Sequence, residues 1–401
     1  MRSVNATETW YHIGINGRCA VHCIDTEAGT RSPKFDRAKE SKMPKAAICR
    51  THGKPLTIEE VEVAPAGPEQ VRIDLEVCAI CHSDITYAAG GWGGDTPAIY
   101  GHEAAGVVES IGEGVEGVKP GDRVTIGLLR SCGRCFHCRL GEEHLCVGTF
   151  PDDTPFTDQN GSPVVRGLRT GAFAQQTVVH RSQVVILPDG ISLEAASLLG
   201  CGVLTGFGAV TNTARMDPGG TVVVVGAGGV GIGAIQGAAI GGAVEVRAVD
   251  LDDGKLELAQ SFGATGTVNS RTEDAVARVK ALNGGVGPDY VFVAVGVQAV
   301  IDQALTMVRA GGTVVLVGMP GNGQQTSFET VEFADASIRL LGCKMGSARM
   351  NVDVPKLIDL HLSGLLDLDR MISNVYALDD INRAIDEVNG GTVIRNLISL
   401  R

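Results

Sequence analysis

No run of apolar residues in this sequence approaches the ~18 that a membrane-spanning helix needs, so a bilayer is not an expected partner. Positive charge is also scarce. Lys and Arg number 34 against 46 Asp and Glu, for a formal net charge of −12. That sign argues against nucleic acid or an anionic membrane surface as a partner. The opening residues, MRSVNATETWYHIGINGRCAVHC, lack the basic start and apolar core of a secretory signal. A cytoplasmic location is therefore expected. Thiols stay reduced there, and clustered cysteines more often hold metal or do chemistry than pair up. Internal repeats, a collagen period and low-complexity blocks are absent too.

Glycine and cysteine are what the chain has in quantity. Its 54 glycines in 401 residues are roughly twice the usual share of about 7%. Without a repeat period they read as tight turns. A length of 401 residues exceeds what one hydrophobic core usually supports, so two domains are expected.

Residues 1–42 differ from the rest. They hold 7 Lys/Arg and 5 Asp/Glu against 27 and 41 beyond them, and they sustain no helix or strand period. A poorly ordered, dispensable extension is expected there. Trp10, Tyr11 and Ile13 are its one group able to dock, and Cys19 and Cys23 lack two further nearby metal ligands. From residue 55 to 190 short strands and turns dominate. VRIDLEV, for example, puts Val71, Ile73, Leu75 and Val77 on one face. From residue 220 to 320 apolar strands (TVVVV, VEVRAVD, PDYVFVAVG, GGTVVLVG) alternate with helical stretches (DGKLELAQSFGA, AVIDQALTMVRAGG). That rhythm predicts a parallel sheet with right-handed crossovers. GGTVVLVG is expected at its edge. The last 55 residues mix a helix, VPKLIDLHLSGLL, with a terminal strand, VIRNLISL.

The stretch VVVVGAGGVG sets Gly226, Gly228 and Gly231 in a G-x-G-x-x-G pattern. The pattern alone is weak. Here it follows a strand, opens a helix, and Asp250 closes the next strand 19 residues after Gly231. Gly226 suits the tight turn, Gly228 the approach of a pyrophosphate, and Gly231 close packing of helix on strand. The helix N-terminus offers free N–H groups and positive potential. Asp250 can accept from both adenosine ribose hydroxyls and would repel a 2′-phosphate. Asp252 and Asp253 add negative charge and no arginine follows, so NAD is expected over NADP. The bland alternative is a glycine-rich helix start that binds nothing.

Four of the 11 cysteines, Cys132, Cys135, Cys138 and Cys146, fall in C-x2-C-x2-C-x7-C spacing. A closed four-thiolate zinc site matches this, because short C-x2-C steps let thiolates converge tetrahedrally. Arg134 and Arg139 can offset its charge. A redox pair is an alternative, and the ligand count also suits an iron–sulfur cluster. A second set is scattered: Cys81, His82, Ser83 and Asp84 in CHSD, His102 and Glu103 in GHEAAG, and Cys201 in LLGCGV. Two cysteines and one histidine make a three-ligand zinc site with a position left open. Singly each is ambiguous, and a cysteine at an apolar helix start is usually core. Cys78, in C-x-x-C spacing with Cys81, reads as packing.

Taken in order, CHSD, GHEAAG, the four-cysteine lobe, LLGCGV, GAGGVG and AVD resemble the zinc-containing alcohol dehydrogenases of the medium-chain dehydrogenase/reductase family, over residues 44 to 401. The resemblance implies an α/β two-domain fold. A mainly-β, GroES-like catalytic domain would take residues 43–202 and 345–401, and a Rossmann domain with a doubly wound parallel sheet residues 203–344. It implies two zinc ions per chain. The catalytic ion would lie on Cys81, His102 and Cys201, and the structural ion on the four-cysteine lobe. It implies that Asp84 orients His102 and that Glu103 stands behind the metal. Ser83 would take the alcohol proton and His82 would face the pyrophosphate. Around NAD it implies Gly226, Gly228, Gly229, Val230, Gly231, Asp250, Lys255, Thr205 and Arg395. Thr205 and Val230 would lie beside the nicotinamide and Arg395 on the pyrophosphate. The implied reaction is hydride transfer between an alcohol and NAD, with the metal lowering the pKa of the alcohol.

Two departures bear on substrate and proton path. Many relatives end the proton relay in a histidine where this chain has Thr86. Glutathione-adduct dehydrogenases place an arginine where it has Phe150. Trp92 and Leu128 fall where the family lines its pocket, and with Phe150 they point to an apolar or aromatic primary alcohol. CVGTF and GCGV also resemble a mycothiol-dependent formaldehyde branch, so an S-(hydroxymethyl)thiol adduct is the second expectation. A non-catalytic NAD-binding protein or a zinc-free quinone reductase on this scaffold should have lost metal ligands, and all three are here. The long segment between Cys146 and Cys201 resembles that of dimeric relatives and implies a homodimer.

Overall fold

A computed structural model describes residues 43–151 and 154–401. The expectations for residues 1–42 lie outside the described residues. The period-2 pattern near the start is borne out. In the strand Gln70–Ala79, Val71, Ile73, Leu75 and Val77 are buried while Asp74 is exposed. Cys78 is also fully buried there, in keeping with a packing role.

Two β units make the first half. Lys45–Cys49, Thr57–Val63, Phe156–Asp158, Pro163–Arg166 and Ala98–Ile99 close into a small barrel. Beside it runs a sheet in the order Val184–Ile186, Arg123–Ile126, Glu103–Ile111, Gln70–Ala79, Arg395–Ser399 and Ile372–Ala377. The strand Gln176–His180 also pairs with Gln70–Ala79. The C-terminal strand thus returns to the first half, with Leu397 opposite Ala79 and Ile398 opposite Cys78. That return carries Arg395 to the end of the strand that leads into Cys81.

The second half holds six parallel strands: Gly266–Asn269, Glu245–Asp250, Thr221–Val225, Tyr290–Val293, Thr313–Leu316 and Arg339–Gly342. The chain order reverses between Thr221–Val225 and Tyr290–Val293, and ligands of such sheets bind outside the strand ends at that switch. One expectation is corrected. GGTVVLVG is not the edge, because Thr313–Leu316 pairs on both sides, and the edge is Arg339–Gly342. Four residues with no fully buried member carry too little apolar signal to read as a strand.

A shared core joins the two halves. It includes Cys81, Cys201, Val203, Ala227, Ile232, Met345 and Leu397. No single helix among the described residues is long and apolar enough to cross a membrane. The bent pair Leu193–Gly200 and Gly202–Ala214 has the composition. Its Leu198, Leu199, Val203 and Leu204 are core residues at most 1% exposed.

Candidate active site

Cys81 ends the approach of Gln70–Ala79 and caps the helix His82–Ala88. His102 and Glu103 stand at the start of Glu103–Ile111, and Cys201 caps the helix Gly202–Gly208. One donor atom from each of Cys81, His102, Glu103 and Cys201 lies within 4.8 Å of the others, and all four residues are buried. Asp84 organises the group. Its Oδ1 lies 2.8 Å from His102 Nδ1 and accepts from the Gly101 N–H at 2.8 Å, and its Oδ2 accepts from the Cys81 N–H at 3.1 Å. The other imidazole nitrogen, His102 Nε2, is buried with no hydrogen-bond partner. Buried polar atoms are normally satisfied. An orphan nitrogen facing two thiols and a carboxylate fits a divalent cation, and sulfur with imidazole is zinc's preferred donor set.

Charge is uneven within the cluster. The Cys81 thiol is held well below its usual range, first by a hydrogen bond from Cys201, with Arg395 and His102 adding positive charge. Cys201 moves the other way, because it gives that bond and is buried. Burial pushes the Glu103 carboxyl up to about 8, against the pull of Arg395. Arg395 Nη2 sits 3.0 Å from Glu103 Oε1, yet neither atom has an aligned hydrogen bond. Arg395 also donates to the Ile80 carbonyl at 3.2 Å. It packs against Gly229, at the start of the nucleotide helix, so tightly that a Cβ there would collide with the guanidinium. Ser83 Oγ is 3.7 Å from Cys81 Sγ. Thr86 donates its hydroxyl proton to the His82 carbonyl at 2.9 Å.

The glycine turn lies at the switch point. Gly226 has φ 97°, and Gly231 comes so close to the Gly226 carbonyl that no Cβ fits between them. The helix Gly229–Ile240 begins there with its N–H groups free of side-chain caps. Asp250 Oδ2 accepts from the Ala227 N–H at 2.7 Å, and Oδ1 from the Leu251 N–H at 2.7 Å. Its carboxylate is therefore fixed beside the turn. Asp252 and Asp253 have local duties as well. Asp252 caps its helix through the Lys255 N–H at 2.9 Å, and Asp253 accepts from Asn269 at 2.6 Å. His82 is held below its usual range by partial burial, and then by the charges of Arg395 and Lys255.

The four-cysteine lobe closes on itself. Cys132 N donates to Cys146 Sγ at 3.3 Å, Cys135 N to Cys132 Sγ at 3.3 Å, Cys138 N to Cys135 Sγ at 3.5 Å and Gly148 N to Cys146 Sγ at 3.3 Å. Such N–H groups stabilise thiolates. The Cys138 and Val147 amides lower Cys135 to about 6. All four sulfurs lie within 4.8 Å of one another, which fits a filled tetrahedral site.

Of the pocket residues, Leu128 packs against the core cluster that holds Cys81 and Cys201. Trp92 reaches across to the other half, donating Nε1–H to the Pro320 carbonyl at 3.0 Å, with its ring edge-on to Tyr87 at 5.1 Å. The Phe150 ring lies 4.1 Å from the Arg130 guanidinium and 4.9 Å from His180. Thr205 lies one turn below Cys201 on the same helix. Sequence reasoning missed Met345. Its Sδ is 3.6 Å from both Cys201 Sγ and Thr205 Oγ1. Nothing in KMGSARM flags it, since its role depends on a contact spanning 144 positions.

A paired-domain α/β dehydrogenase with one open and one closed zinc site is the class that these features define. Comparison with known proteins agrees. Residues 67–189 match the alcohol dehydrogenase GroES-like domain, and residues 229–363 match the zinc-binding dehydrogenase family. The chain is 36% identical over 371 residues to a class-3 alcohol dehydrogenase of Pisum sativum, covering 89% of this chain and 97% of that protein. It is 35% identical over 370 residues to an S-(hydroxymethyl)glutathione dehydrogenase of Komagataella pastoris, with the same coverage. The crystal structure of a benzyl alcohol dehydrogenase from Acinetobacter calcoaceticus superposes with a TM-score of 0.84 at 27% identity, over 90% of this chain and all of that one. The chain belongs to the zinc-containing alcohol dehydrogenases of the medium-chain dehydrogenase/reductase family.

Proposed function

We propose that this enzyme oxidises a primary hydroxyl group to the aldehyde with NAD, using Cys81, His102 and Cys201 as the catalytic metal ligands and the four-cysteine lobe as a structural site. The buried cluster with its orphan His102 Nε2 carries this reading. When bound, zinc polarises the hydroxyl oxygen and NAD accepts the hydride. The chain's own residues do the rest. Asp84 holds the His102 tautomer. Ser83 takes the hydroxyl proton, and water or His82 carries it out, because Thr86 spends its own proton on the His82 carbonyl. Asp250 takes the adenosine ribose, while His82, Lys255 and Arg395 supply positive potential to the pyrophosphate. Trp92 and Leu128 wall the reacting end and exclude water. Domain limits of 43–202 with 345–401, and 203–344, fit the return of the C-terminal strand to the first sheet.

A second reading, oxidation of an S-(hydroxymethyl)thiol adduct, draws support from the relatives named for that activity. Absorbance of NADH decides between them. Octanol and benzyl alcohol are assayed against formaldehyde with glutathione and formaldehyde with mycothiol. Activity only when a thiol accompanies formaldehyde would displace the plain alcohol reading.

A further inference from the structure

One residue touches the metal cluster without belonging to it. The Met345 sulfur lies 3.6 Å from Cys201 Sγ and 3.6 Å from Thr205 Oγ1. Cys201 Sγ and Thr205 Oγ1 are themselves 3.9 Å apart, so the three atoms form a triangle. All three residues are at most 9% exposed. A thioether has no proton to give and is a weak acceptor. It can receive the Thr205 hydroxyl proton, and its polarisable sulfur suits contact with the sulfur of Cys201.

The backbone that delivers this sulfur has little freedom. Met345, Gly346 and Ser347 run consecutively through the left-handed region at φ 52°, 65° and 48°. Residues other than glycine hold that conformation only where their surroundings over-determine it, and such strain gathers at functional sites. The restraints are visible here. A Cβ on Gly346 would lie 2.5 Å from the Leu204 carbonyl oxygen and 2.9 Å from that of Thr205, so the turn is pressed onto the helix that Cys201 caps. Asn212 donates to the Gly346 carbonyl at 3.3 Å, and the Thr213 and Ser347 hydroxyls hydrogen-bond at 2.8 Å. Asp353 accepts from the Arg349 N–H at 2.8 Å and from Asn212 at 3.4 Å, which ties the far side of the turn to the same helix. Asn212 and Thr213 lie where that helix widens into a π-helical turn, Ala209–Ala214. Turns of this kind are rare and recur at functional sites.

We propose that Met345 is a positioning residue for hydride transfer. Its thioether fixes the rotamers of Cys201 and Thr205, so that a metal ligand and the residue expected beside the nicotinamide keep one relative placement. The proposal rests on the alcohol dehydrogenase reading above and adds to it a residue that acts through two others. Packing alone predicts a different result, because leucine conserves the volume of methionine and would then serve as well.

The test compares the parent enzyme with Met345→Leu, which removes the sulfur, and with Thr213→Val, which removes the tie to Ser347 and leaves Met345 in place. Metal retention is read without turnover. Zinc-loaded protein is moved into excess chelator and the release of each ion is timed, with Cys201→Ser, expected to hold the lobe's ion alone, identifying the phases. Met345→Leu should release the cluster's ion about tenfold faster, the lower end for groups that orient a metal ligand, and the lobe's ion at the parent rate. Thr213→Val should speed release from the cluster by a smaller factor. With cobalt(II) in the cluster, the thiolate charge-transfer band should shift in both variants. Dissociation constants for NADH in Met345→Leu, Thr205→Val and the double variant should be non-additive, since either change breaks the same contact. Parent-like release and an unshifted band in Met345→Leu reduce the contact to packing and overturn the proposal. So does equal acceleration for both ions, the mark of general destabilisation, or strict additivity in the cycle. Where Met345→Leu does not fold, Thr213→Val decides: faster release from the cluster alone supports the proposal, and unchanged release overturns it. A parent that holds no ion in the cluster and oxidises no alcohol overturns the dehydrogenase reading and the proposal with it. A parent that does both, beside a silent Met345→Leu, overturns the proposal alone.

Discussion

Arg395 and Glu103 face each other at 3.0 Å, with side chains 4% and 0% exposed. The pair links the metal cluster to the glycine turn, because Arg395 also lies against Gly229. Burial pushes the Glu103 carboxyl up to about 8 even beside Arg395, so above that pH removing Arg395 leaves a buried charge uncompensated, at a cost of about 3–5 kcal/mol. Arg395→Leu should therefore lower the melting temperature more at pH 9 than at pH 6. Adding Glu103→Gln should recover part of the loss. Strictly additive losses in that double-mutant cycle would show that the two charges do not interact.

Metal analysis should return two zinc ions per chain with separable roles. Cys135→Ser should release one and unfold much of the protein, since bound metal contributes folding free energy. Cys201→Ser should release the other, abolish turnover and leave most of the circular dichroism signal. A stoichiometry of one or none in the parent protein would contradict the two-site assignment.

NAD should be preferred over NADP by roughly 100-fold, about 2.8 kcal/mol, from lost charge-assisted contacts and phosphate repulsion at Asp250. Asp250→Asn keeps an acceptor for the Ala227 N–H while removing the charge. It should narrow the gap mainly through KM for NADP. Equal kcat/KM for both coenzymes in the parent would sink the argument.

Ser83→Ala should reduce kcat by roughly 100-fold, the usual size of a lost acid–base group. Coenzyme binding, followed by NADH fluorescence, should barely move. Thr86→Ala should have little effect, since its hydroxyl is committed to the His82 carbonyl. Full activity in Ser83→Ala would send the proton elsewhere.

Light scattering should report a homodimer. The exposed edge Arg339–Gly342 offers unpaired backbone groups, and apolar Met319, Phe328 and Val331 are also exposed on the same half of the chain. Unprotected sheet edges pair across two-fold axes. Leu340→Pro, which removes an edge donor, should weaken the dimer before it affects zinc content. A monomeric parent would rule the interface out.

How much of this was legible depended on how far apart the contributing residues lie. The four-cysteine lobe and the glycine turn are contiguous, so residue type and spacing were enough. Short loops leave the backbone few ways to orient a C-x2-C step or a G-x-G-x-x-G turn. The six strands of the parallel sheet were partly legible. Buried central strands are strongly apolar, but Gly266–Asn269 and Arg339–Gly342 lie at the two ends and carry weak patterns.

The sequence by itself determined which residue types were available to bind metal and coenzyme, and a resemblance grouped Cys81, His102 and Cys201 before any geometry was known. Only the tertiary structure decided how they are held. It placed Asp84 between His102 and the Cys81 amide, brought Glu103 inside the cluster, and laid Met345 on Cys201. It turned Arg395 from an expected pyrophosphate contact into a buried partner of Glu103 as well, and sent Phe150 to Arg130. The reason is physical. Contacts across hundreds of residues depend on which strands pair and where the chain re-enters a sheet. No local period or propensity encodes that choice, which is made when the apolar faces of both halves close over one core.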